Sequence, residues 1–272
     1  MKVDLHMHTT FSDGFFSPQE LIKKCSEKEL SVISITDHDS VESFPDSIKY
    51  GKEYDVEVIC GVELSTTIEE KDIHILGYFV DYTNSIFLET LQFFRAERKK
   101  RAERIIEKLN DLKIFITLAD IEKYSGQGAI GRPHIANALV EHGYVRSYKE
   151  AFDKYLIPGS PAYETKFPFH SAEAIQLIKK SGGLSFIAHP GEYITENILR
   201  QLIKEGIDGI EVIHPSHSSE HINYYRGIVN EYFLLESGGS DFHGGRKNDD
   251  SILGSYYIDE TKIEMMKRNL FS

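Results

Sequence analysis

The chain has 272 residues, enough to bury a substantial core in one large α/β domain or in one domain with an insertion. Apolar residues make up 40% and charged residues 27%, as in ordinary soluble enzymes, and no apolar run approaches the roughly 18 residues of a membrane span. The formal net charge of -12 should repel nucleic acid over most of the surface. We therefore expect no stable duplex binding and no membrane association, and a phosphate-bearing substrate needs a local positive site.

Cysteine usage indicates the compartment. Cys25 falls in a predicted helix and Cys60 in a predicted strand, which argues against a disulfide framework and for a reducing environment. The N-terminal stretch lacks the apolar region of a signal peptide. These features predict a cytoplasmic protein, and they leave the oligomeric state undetermined.

Strand and helix patterns alternate along most of the chain, which predicts an α/β fold. The predicted strands are residues 2–7, 30–36, 56–61, 72–80, 184–188, 209–213, 232–236 and 252–258. The first helix has three agreeing start signals, with Ser17 at the cap, Pro18 at the first helical position and Glu20 three residues after the cap. Other helices are predicted at 41–53, with an interruption near Pro45, and at 171–180 and 196–205.

The middle of the chain changes character. Residues 84–110 form one long helical pattern, two shorter helical patterns follow it, and no convincing strand occurs before residue 166. The predicted division is a barrel of residues 1–94 and 167–272 with a helical insertion, residues 95–166, near the active site. The long helix carries a basic run that forms either a solvated helix face or a lip that attracts phosphate: Arg95, Arg98, Lys99, Lys100, Arg101 and Arg104.

A second candidate phosphate site lies within the insertion, at Gly131-Arg132-Pro133-His134. Pro133 fixes the first turn of a helix, so Arg132 and His134 lie at a helix N-terminus, where free amides and the helix dipole favour an anion. The segment is a phosphate clamp or a structural cap. His134 and His217 are candidate substrate-binding residues that could protonate a leaving group, and the sequence does not distinguish them.

Metal-ligating residue types follow or lie within seven predicted strands. His6 and His8 emerge from the end of the first strand, and the turn after it brings Asp13 within reach of an ion. His-x-His alone is a weak signal, and His74 could be a core histidine because its neighbours are apolar. In a (β/α) barrel, however, the C-terminal strand ends converge on one face. The candidate ligands are His6, His8, Asp13, His38, Glu63, His74, His189, Asp241 and His243.

These nine nitrogen and oxygen ligands, without a thiolate, suit Zn²⁺, Mn²⁺ or Fe²⁺. Nine ligands exceed what one ion needs, so we predict a cluster of two or three divalent ions with bridging carboxylates. Three carboxylates leave such a cluster positive, so it would attract phosphate despite the acidic surface.

The combination of motifs resembles the PHP family, the polymerase and histidinol phosphatase superfamily, over nearly the whole chain. The matching motifs are His6-x-His8 with Ser12-Asp13-Gly14, Thr36-Asp37-His38, His189-Pro190 and Asp241-x-His243, with Glu63 and His74 between them. The resemblance implies a distorted (β/α)₇ barrel, a TIM-like fold, with three ions at its C-terminal face. By the same resemblance, one ion would be held by His6, His8, Glu63 and Asp241, a second by Glu63, His74 and His189, and a third by Asp13, His38 and His243.

The expected function is metal-dependent hydrolysis of a phosphomonoester by an activated hydroxide, with catalysis centred on His6, His8, Glu63, Asp241 and His243. Arg132 would bind oxygens of the transferring group, and Asp37 would orient a ligand imidazole or stabilise a turn. The insertion resembles the branch that includes 3',5'-nucleoside bisphosphate phosphatases, so a small nucleotide is the expected substrate. Alternatives are a histidinol-phosphate phosphatase, an exonuclease acting on oligonucleotide ends, and a non-catalytic interaction module. Asp13 disfavours the first of these, because histidinol phosphatases of the family usually have histidine at that position.

Overall fold

The structure is a computed structural model that describes residues 1–69, 71–125, 128–192, 194–244, 249 and 251–270. The strands are β1 (Lys2–Asp4), β2 (Leu30–Ile35), β3 (Glu57–Ile68), β4 (Lys71–Tyr78), β5 (Leu184–Ile187), β6 (Gly209–Ile213), β7 (Leu235–Gly238) and β8 (Ile258–Asp259). The helices are α1 (Pro18–Glu27), α2 (Phe44–Tyr54), α3 (Ser85–Asp111), α4 (Leu118–Ser125), α5 (Arg132–Glu141), α6 (Tyr148–Ala151), α7 (Ser171–Lys180), α8 (Glu196–Glu205), α9 (Ser219–Glu231) and α10 (Glu260–Leu270), with a π-helical turn at Phe152–Leu156.

The strands form one sheet that curves into a nearly closed barrel, in the order β7-β6-β5-β4-β3-β2-β1-β8. The backbone after β1 closes the barrel, since the Leu5 amide donates to the Gly238 carbonyl at 3.1 Å and the His8 amide donates to the Phe242 carbonyl at 2.9 Å. The short strand β8 pairs antiparallel with β1 outside this closure. The predicted distorted seven-stranded barrel is confirmed.

Strand β4 runs antiparallel to both of its neighbours, whereas β1 to β3 and β5 to β7 are parallel. Strand β3 does not end at Gly61 as predicted but continues to Ile68 and turns directly into β4. The first half of β4, which carries His74, therefore lies at the same barrel edge as the C-terminal ends of the parallel strands.

Local sequence signals fixed several helix ends. The side chain of Ser17 accepts from the Glu20 amide, and Glu20 reciprocates at the Ser17 amide, so the predicted capping box is present. Helices α7 and α8 span the predicted residues. The interruption predicted near Pro45 was wrong, because α2 begins at Phe44 and Pro45 occupies its first turn, where the missing amide hydrogen removes no helical bond.

The predicted closing strand at 252–258 was also wrong for most of its length. Residues 251–255 form turns, with the Ser255 amide bonded to the Ile252 carbonyl and Gly254 at a φ of +79°. Only Ile258 of the predicted segment joins a strand. The exposed loop predicted at 244–250 falls mostly on residues 245–248 and 250, which lie outside the described residues.

Two apolar cores flank the long helix α3. Its first half buries Phe87, Leu91 and Phe94 against the core between sheet and outer helices. Its second half packs into a separate cluster with α4, α5 and the segment that follows: Ala102, Ile105, Ile106, Leu109, Ile121, Ile135, Leu139 and Leu156, among others. The division at residue 95 thus falls within one continuous helix, and we retain the insertion at 95–166 as a proposal. Among the described helices, none is both long enough and apolar enough to cross a membrane.

Candidate metal centre

All nine predicted ligands converge at one edge of the barrel. His6, His8 and Asp13 follow β1, His38 follows β2, and Glu63 and His74 lie on the β3–β4 hairpin. His189 follows β5, and Asp241 and His243 follow β7. In each of four groups, the nitrogen and oxygen atoms lie within 4.8 Å of one another: His8, Asp13, His38 and His243; His6, His8 and Asp241; His6, Glu63 and His189; and His38, Glu63 and His74.

The Glu63 carboxylate lies at the centre of the cluster. Its Oε1 is 2.7 Å from His74 Nδ1 and 3.0 Å from His189 Nε2. Its Oε2 is 3.0 Å from His38 Nδ1 and 3.4 Å from His6 Nε2. Since Glu63 belongs to two of the four groups, it has the position of a bridging carboxylate. Its assignment as a ligand, like that of the other eight residues, stays a prediction.

The chemistry of the donor set fits divalent cations. Within the described part of the chain, His6 Nε2 and His38 Nδ1 are buried without a hydrogen bond, although each faces carboxylate oxygens. Burial would raise the pKa of the Glu63 carboxyl, but the surrounding imidazoles of His38, His74 and His6 hold that pKa well below its usual range. Burial lowers the pKa of the His38 imidazole. Burial would also lower the pKa of the His6 imidazole, but the carboxylates of Glu211, Asp241 and Glu63 raise that pKa well above its ordinary value. Metal binding requires ionised carboxylates and neutral imidazoles, so an ion that bound here would displace protons from histidines.

Backbone strain accompanies this cluster. Asp241 has a φ of +49° and His189 a φ of +28°, in the left-handed region that non-glycine residues seldom adopt. Gly239 lies so close to His6 that a Cβ there would be 2.4 Å from the His6 amide nitrogen. Glycine is thus required for the end of β7 to approach His6. The two residues with positive φ are both candidate ligands, and such conformations concentrate at functional sites.

Glu211 supports two candidate ligands and was missed by the sequence analysis. Its fully buried carboxylate accepts from His6 Nδ1 at 2.9 Å and from the His189 amide at 2.6 Å. A proton on Nδ1 leaves the lone pair of His6 Nε2 free to bind an ion. Glu211 interrupts the apolar strand Gly209–Ile213, and a charged residue at such a position was the signal that could have identified it.

Asp37 stabilises a turn. Its carboxylate accepts from the Thr9 amide at 2.8 Å, from the Thr9 hydroxyl at 2.7 Å and from the Ser12 hydroxyl at 2.6 Å. The hydrogen bonds of this carboxylate are thus to the loop that presents Asp13. The Ser12 hydroxyl also lies 3.4 Å from His8 Nδ1, so Asp37 reaches a candidate ligand imidazole through Ser12. Its direct contacts support the turn.

A cavity of about 290 Å³ opens beside the cluster, and its lining includes Asp13, His38, His74 and His189. Four basic side chains, here called the cation cluster, line the same cavity: Arg98, Arg101, Arg132 and Lys166. Arg132 was predicted to bind phosphate, whereas the basic run of α3 was predicted to be either a solvated face or a phosphate-attracting lip. Arg98 and Arg101 follow the buried Phe94 at helical spacing, the signal that separates them from their solvated neighbours.

Each member of the cation cluster is held in place by hydrogen bonds. Arg98 donates to Asp39 at 2.7 Å and to Ser65 at 2.8 Å. Arg101 donates twice to the Glu164 carbonyl, at 2.9 and 2.7 Å. Arg132 donates to the Leu156 carbonyl at 3.2 Å. These contacts leave donors on fixed guanidinium groups available for an anion in the cavity.

Lys166 of the cation cluster contacts a candidate ligand. Its Nζ lies 3.3 Å from Asp72 and 3.4 Å from His74 Nε2, and Arg132 Nη2 contacts the same Asp72 carboxylate at 3.3 Å. Burial, together with the neighbouring arginines, lowers the pKa of the Lys166 ammonium to about 8, although Asp72 opposes the shift. Two cations of the cluster therefore share one carboxylate in this structure.

The structure places His134 and His217 away from the cavity. His134 is fully buried, and its Nδ1 accepts from the Gly131 amide at the start of α5, which supports the structural cap over the phosphate clamp for this residue. His217 Nδ1 donates to the Val212 carbonyl at 2.9 Å, and its Nε2 accepts from the Gly191 amide at 3.0 Å. Burial also lowers the pKa of His217. Both ring nitrogens of His217 are thus engaged in backbone hydrogen bonds, and its assignment to the substrate stays a prediction.

A barrel edge that gathers six imidazoles and three carboxylates beside a cation cluster defines a metal-dependent phosphoesterase, a hydrolase that acts on phosphate esters. The model of the PHP domain matches residues 4–158. The chain belongs to the PHP domain family.

Relatives and solved structures agree with this assignment over most of the chain. The 5'-3' exoribonuclease of Haemophilus influenzae is 35% identical over 247 residues, which cover 89% of this chain and 90% of that protein. The 3',5'-nucleoside bisphosphate phosphatase of Chromobacterium violaceum is 29% identical over 254 residues, covering 90% and 89%. The crystal structure of a metal-dependent phosphoesterase from Bifidobacterium adolescentis superposes with a TM-score of 0.90 at 28% identity, covering 97% of this chain and 94% of that one.

Proposed function

We propose that the enzyme hydrolyses a phosphoester of a small nucleotide that carries two phosphoryl groups, with a nucleoside 3',5'-bisphosphate as the first substrate. One observation carries this proposal: candidate metal ligands and the cation cluster line the same cavity. A substrate with one phosphoryl group at the metal centre and another at the cation cluster would use both groups of residues. The 3',5'-nucleoside bisphosphate phosphatase of Chromobacterium violaceum supports the choice.

The residues of the chain have separable roles in this proposal. When bound, two or three divalent ions, Mn²⁺, Zn²⁺ or Fe²⁺, would activate water and neutralise charge on the reacting phosphoryl group. Glu63 and Asp241, each within 3.5 Å of imidazoles, would hold the ions with the histidines. Arg98, Arg101 and Arg132 would bind the second phosphoryl group through fixed guanidinium donors, which hold planar arrays of oxygens better than a point charge does.

A second candidate substrate is the 5'-phosphorylated end of an oligoribonucleotide, because the 5'-3' exoribonuclease of Haemophilus influenzae is 35% identical to this chain. Such an end contains the same unit, a nucleoside with a 5'-phosphate and an ester at the 3'-oxygen, extended by further nucleotides. The acidic surface, at a net charge of -12, disfavours long nucleic acid outside the cavity and supports the shorter substrate first. Two free, buried cysteines support a cytoplasmic location.

The test is release of inorganic phosphate from adenosine 3',5'-bisphosphate by protein loaded with Mn²⁺. Adenosine 5'-monophosphate and histidinol phosphate are assayed beside it for phosphate at equal concentrations, and a short 5'-phosphorylated oligoribonucleotide is assayed for release of nucleoside 5'-monophosphate. We expect release of one phosphate per bisphosphate and little from the monophosphate, since the monophosphate cannot contact the metal centre and the cation cluster with two phosphoryl groups. Turnover of the oligoribonucleotide at a higher kcat/KM than the bisphosphate would replace the first candidate with the second, and release from histidinol phosphate alone would reject both.

A further inference from the structure

Two aromatic side chains, Tyr148 and Phe152, line the same cavity as the candidate metal ligands and the cation cluster. Their ring centroids lie 4.9 Å apart with planes inclined at 35°. Both side chains are half-buried, with one side against the core of the insertion and the other toward the cavity. The cavity therefore has an apolar, aromatic wall in addition to its metal-ligating and cationic walls.

An unusual backbone segment positions this wall. Helix α6, which begins at Tyr148, passes directly into the π-helical turn Phe152–Leu156. A π-helical turn is rare, and such turns are frequently found at functional sites. The Leu156 carbonyl at the end of this turn accepts from Arg132 Nη1 at 3.2 Å. The same turn thus presents Phe152 and orients a cation of the phosphate-binding side.

We infer that Tyr148 and Phe152 form a nucleobase-binding wall, against which the base of the substrate stacks while its phosphoryl groups contact the cation cluster and the metal centre. The inference rests on the proposed function. It adds recognition of the nucleobase, which phosphate binding alone does not provide. A ligand that contacts all three walls of one cavity of about 290 Å³ must combine phosphoryl groups with a flat apolar group. A nucleobase is that group, and aromatic stacking accepts any base because each has a π face.

The consequence is selectivity for nucleotides over sugar phosphates. Stacking on an aromatic side chain contributes roughly 5- to 100-fold in affinity per base, by conversion of typical alanine-substitution effects. Phosphate recognition alone would not separate adenosine 3',5'-bisphosphate from its analogue without a base. Tyr148 and Phe152 would supply the difference in affinity between the nucleotide and its base-free analogue.

The test compares Phe152→Leu and Tyr148→Leu with the wild type on two substrates, adenosine 3',5'-bisphosphate and the base-free 1,2-dideoxyribose 3,5-bisphosphate. We expect each variant to raise KM for the nucleotide roughly 5-fold or more and to leave KM for the base-free compound unchanged. Tyr155→Leu is the matched control, because Tyr155 lies in the same π-helical turn but is not among the residues that line the cavity. Bound metal and circular dichroism verify that each variant is folded and loaded.

An equal loss on both substrates, or the same loss in Tyr155→Leu, would mean that the aromatic pair only supports the insertion, and the inference would be overturned. Failure of the proposed function is distinguished by binding. If the wild type hydrolyses neither bisphosphate, calorimetry compares adenosine 5'-monophosphate with ribose 5-phosphate. Tighter binding of the nucleotide that is lost in Phe152→Leu upholds the base wall without the proposed reaction, and equal binding of the two compounds rejects it.

Discussion

At the scale of single residues, Glu211 is the buried carboxylate that positions two candidate ligands. Its oxygens accept from His6 Nδ1 and from the His189 amide. In Glu211→Gln an amide replaces the carboxylate, so the charge-assisted bond to His6 is lost and the imidazole is free to rotate or change tautomer. We predict that the variant binds Mn²⁺ roughly 10- to 100-fold more weakly, as is typical when a residue that orients a metal ligand is changed. The measurement is bound metal at equilibrium across a series of chelator-buffered concentrations.

The matched control for this prediction is Glu236→Gln. Glu236 is a buried glutamate on the neighbouring strand β7, where it pairs with Arg226 and Lys262 instead of candidate ligands. The Glu236→Gln variant should therefore bind Mn²⁺ with the same affinity as the wild type. Equal affinities for Glu211→Gln and the wild type would show that the His6 imidazole is oriented without Glu211.

A second residue-scale prediction concerns Asp72, which contacts both Arg132 and Lys166 in the cation cluster. The carboxylate competes with a substrate phosphoryl group for these two cations. Asp72→Asn should therefore lower KM for a nucleoside bisphosphate and strengthen inhibition by inorganic phosphate, each by about 2- to 10-fold, the size of one charge interaction of about 1 kcal/mol in a partly exposed cavity. Steady-state kinetics with added phosphate measures both effects.

Glu122→Gln tests whether any loss of negative charge has this effect, since it removes a carboxylate that pairs with Lys99 outside the cavity. That variant should behave as the wild type. A higher KM in Asp72→Asn would mean that the carboxylate orients the two cations for the substrate instead of competing with it.

The nine candidate ligands could be located from the sequence because each follows or lies within a predicted strand, and strand ends of a barrel meet at one edge. Lys166 could not be located from the sequence, because no local pattern marks a residue that reaches the cavity through tertiary packing of the insertion. The predicted substrate-binding roles of His134 and His217 stay predictions. Neither residue is among those that line the cavity, and their hydrogen bonds to backbone groups were not visible in the sequence.

At the scale of elements, the direction of β4 was the part of the fold that apolar patterning could not supply. Alternation of apolar residues gives the same pattern for parallel and antiparallel strands, so the 72–80 segment was recognised without its direction. The connection decides the direction: β3 continues to Ile68 and β4 begins at Lys71, too short a link for a parallel crossover. The tight link implies a hairpin, and the hairpin brings His74 to the barrel edge.

One ion-pair network joins the barrel strand β7 to the helices α9 and α10, and it supplies an element-scale prediction. Glu236 on β7 accepts from Arg226 of α9 at 2.8 Å and from Lys262 of α10 at 2.9 Å. Burial raises the pKa of the Glu236 carboxyl, but the hydrogen bonds and charges of Arg226 and Lys262 outweigh it and bring the pKa below its ordinary value of 4.5. A depressed pKa in the folded state stabilises the protein above the unfolded-state pKa, and that contribution is lost as the pH falls through the folded-state pKa.

Glu236→Gln should therefore reduce the free energy of unfolding by about 1 to 3 kcal/mol near neutral pH, since charged hydrogen bonds to a buried group are lost. The difference from the wild type should shrink as the pH is lowered toward about 4 and below, where the wild-type carboxyl becomes protonated. Urea unfolding of both proteins across this range measures the difference. A difference that stays constant with pH would assign the effect to packing and not to the carboxylate charge.

At the scale of the whole molecule, an acidic protein with a net charge of -12 concentrates buried carboxylates and imidazoles at one barrel edge. Divalent ions that bind there would link segments distant in sequence, from His6 after β1 to His243 after β7. Because the unfolded chain lacks this arrangement, metal binding adds to the stability of the folded state. Removing the metal should therefore affect the entire barrel and not the catalytic cavity alone.

We predict that chelator-treated protein has a Tm at least about 5 °C below that of protein with Mn²⁺ at 100 times its dissociation constant, since one such site contributes about 2.7 kcal/mol. Phosphate release should be lost with the metal and return when it is restored. Differential scanning calorimetry with metal analysis of each sample measures both. In Glu211→Gln the same Mn²⁺ concentration should give a smaller rise in Tm, because the weaker site is less saturated. If a metal-free sample kept both its Tm and its activity, neither stability nor catalysis would depend on metal bound by the converged residues.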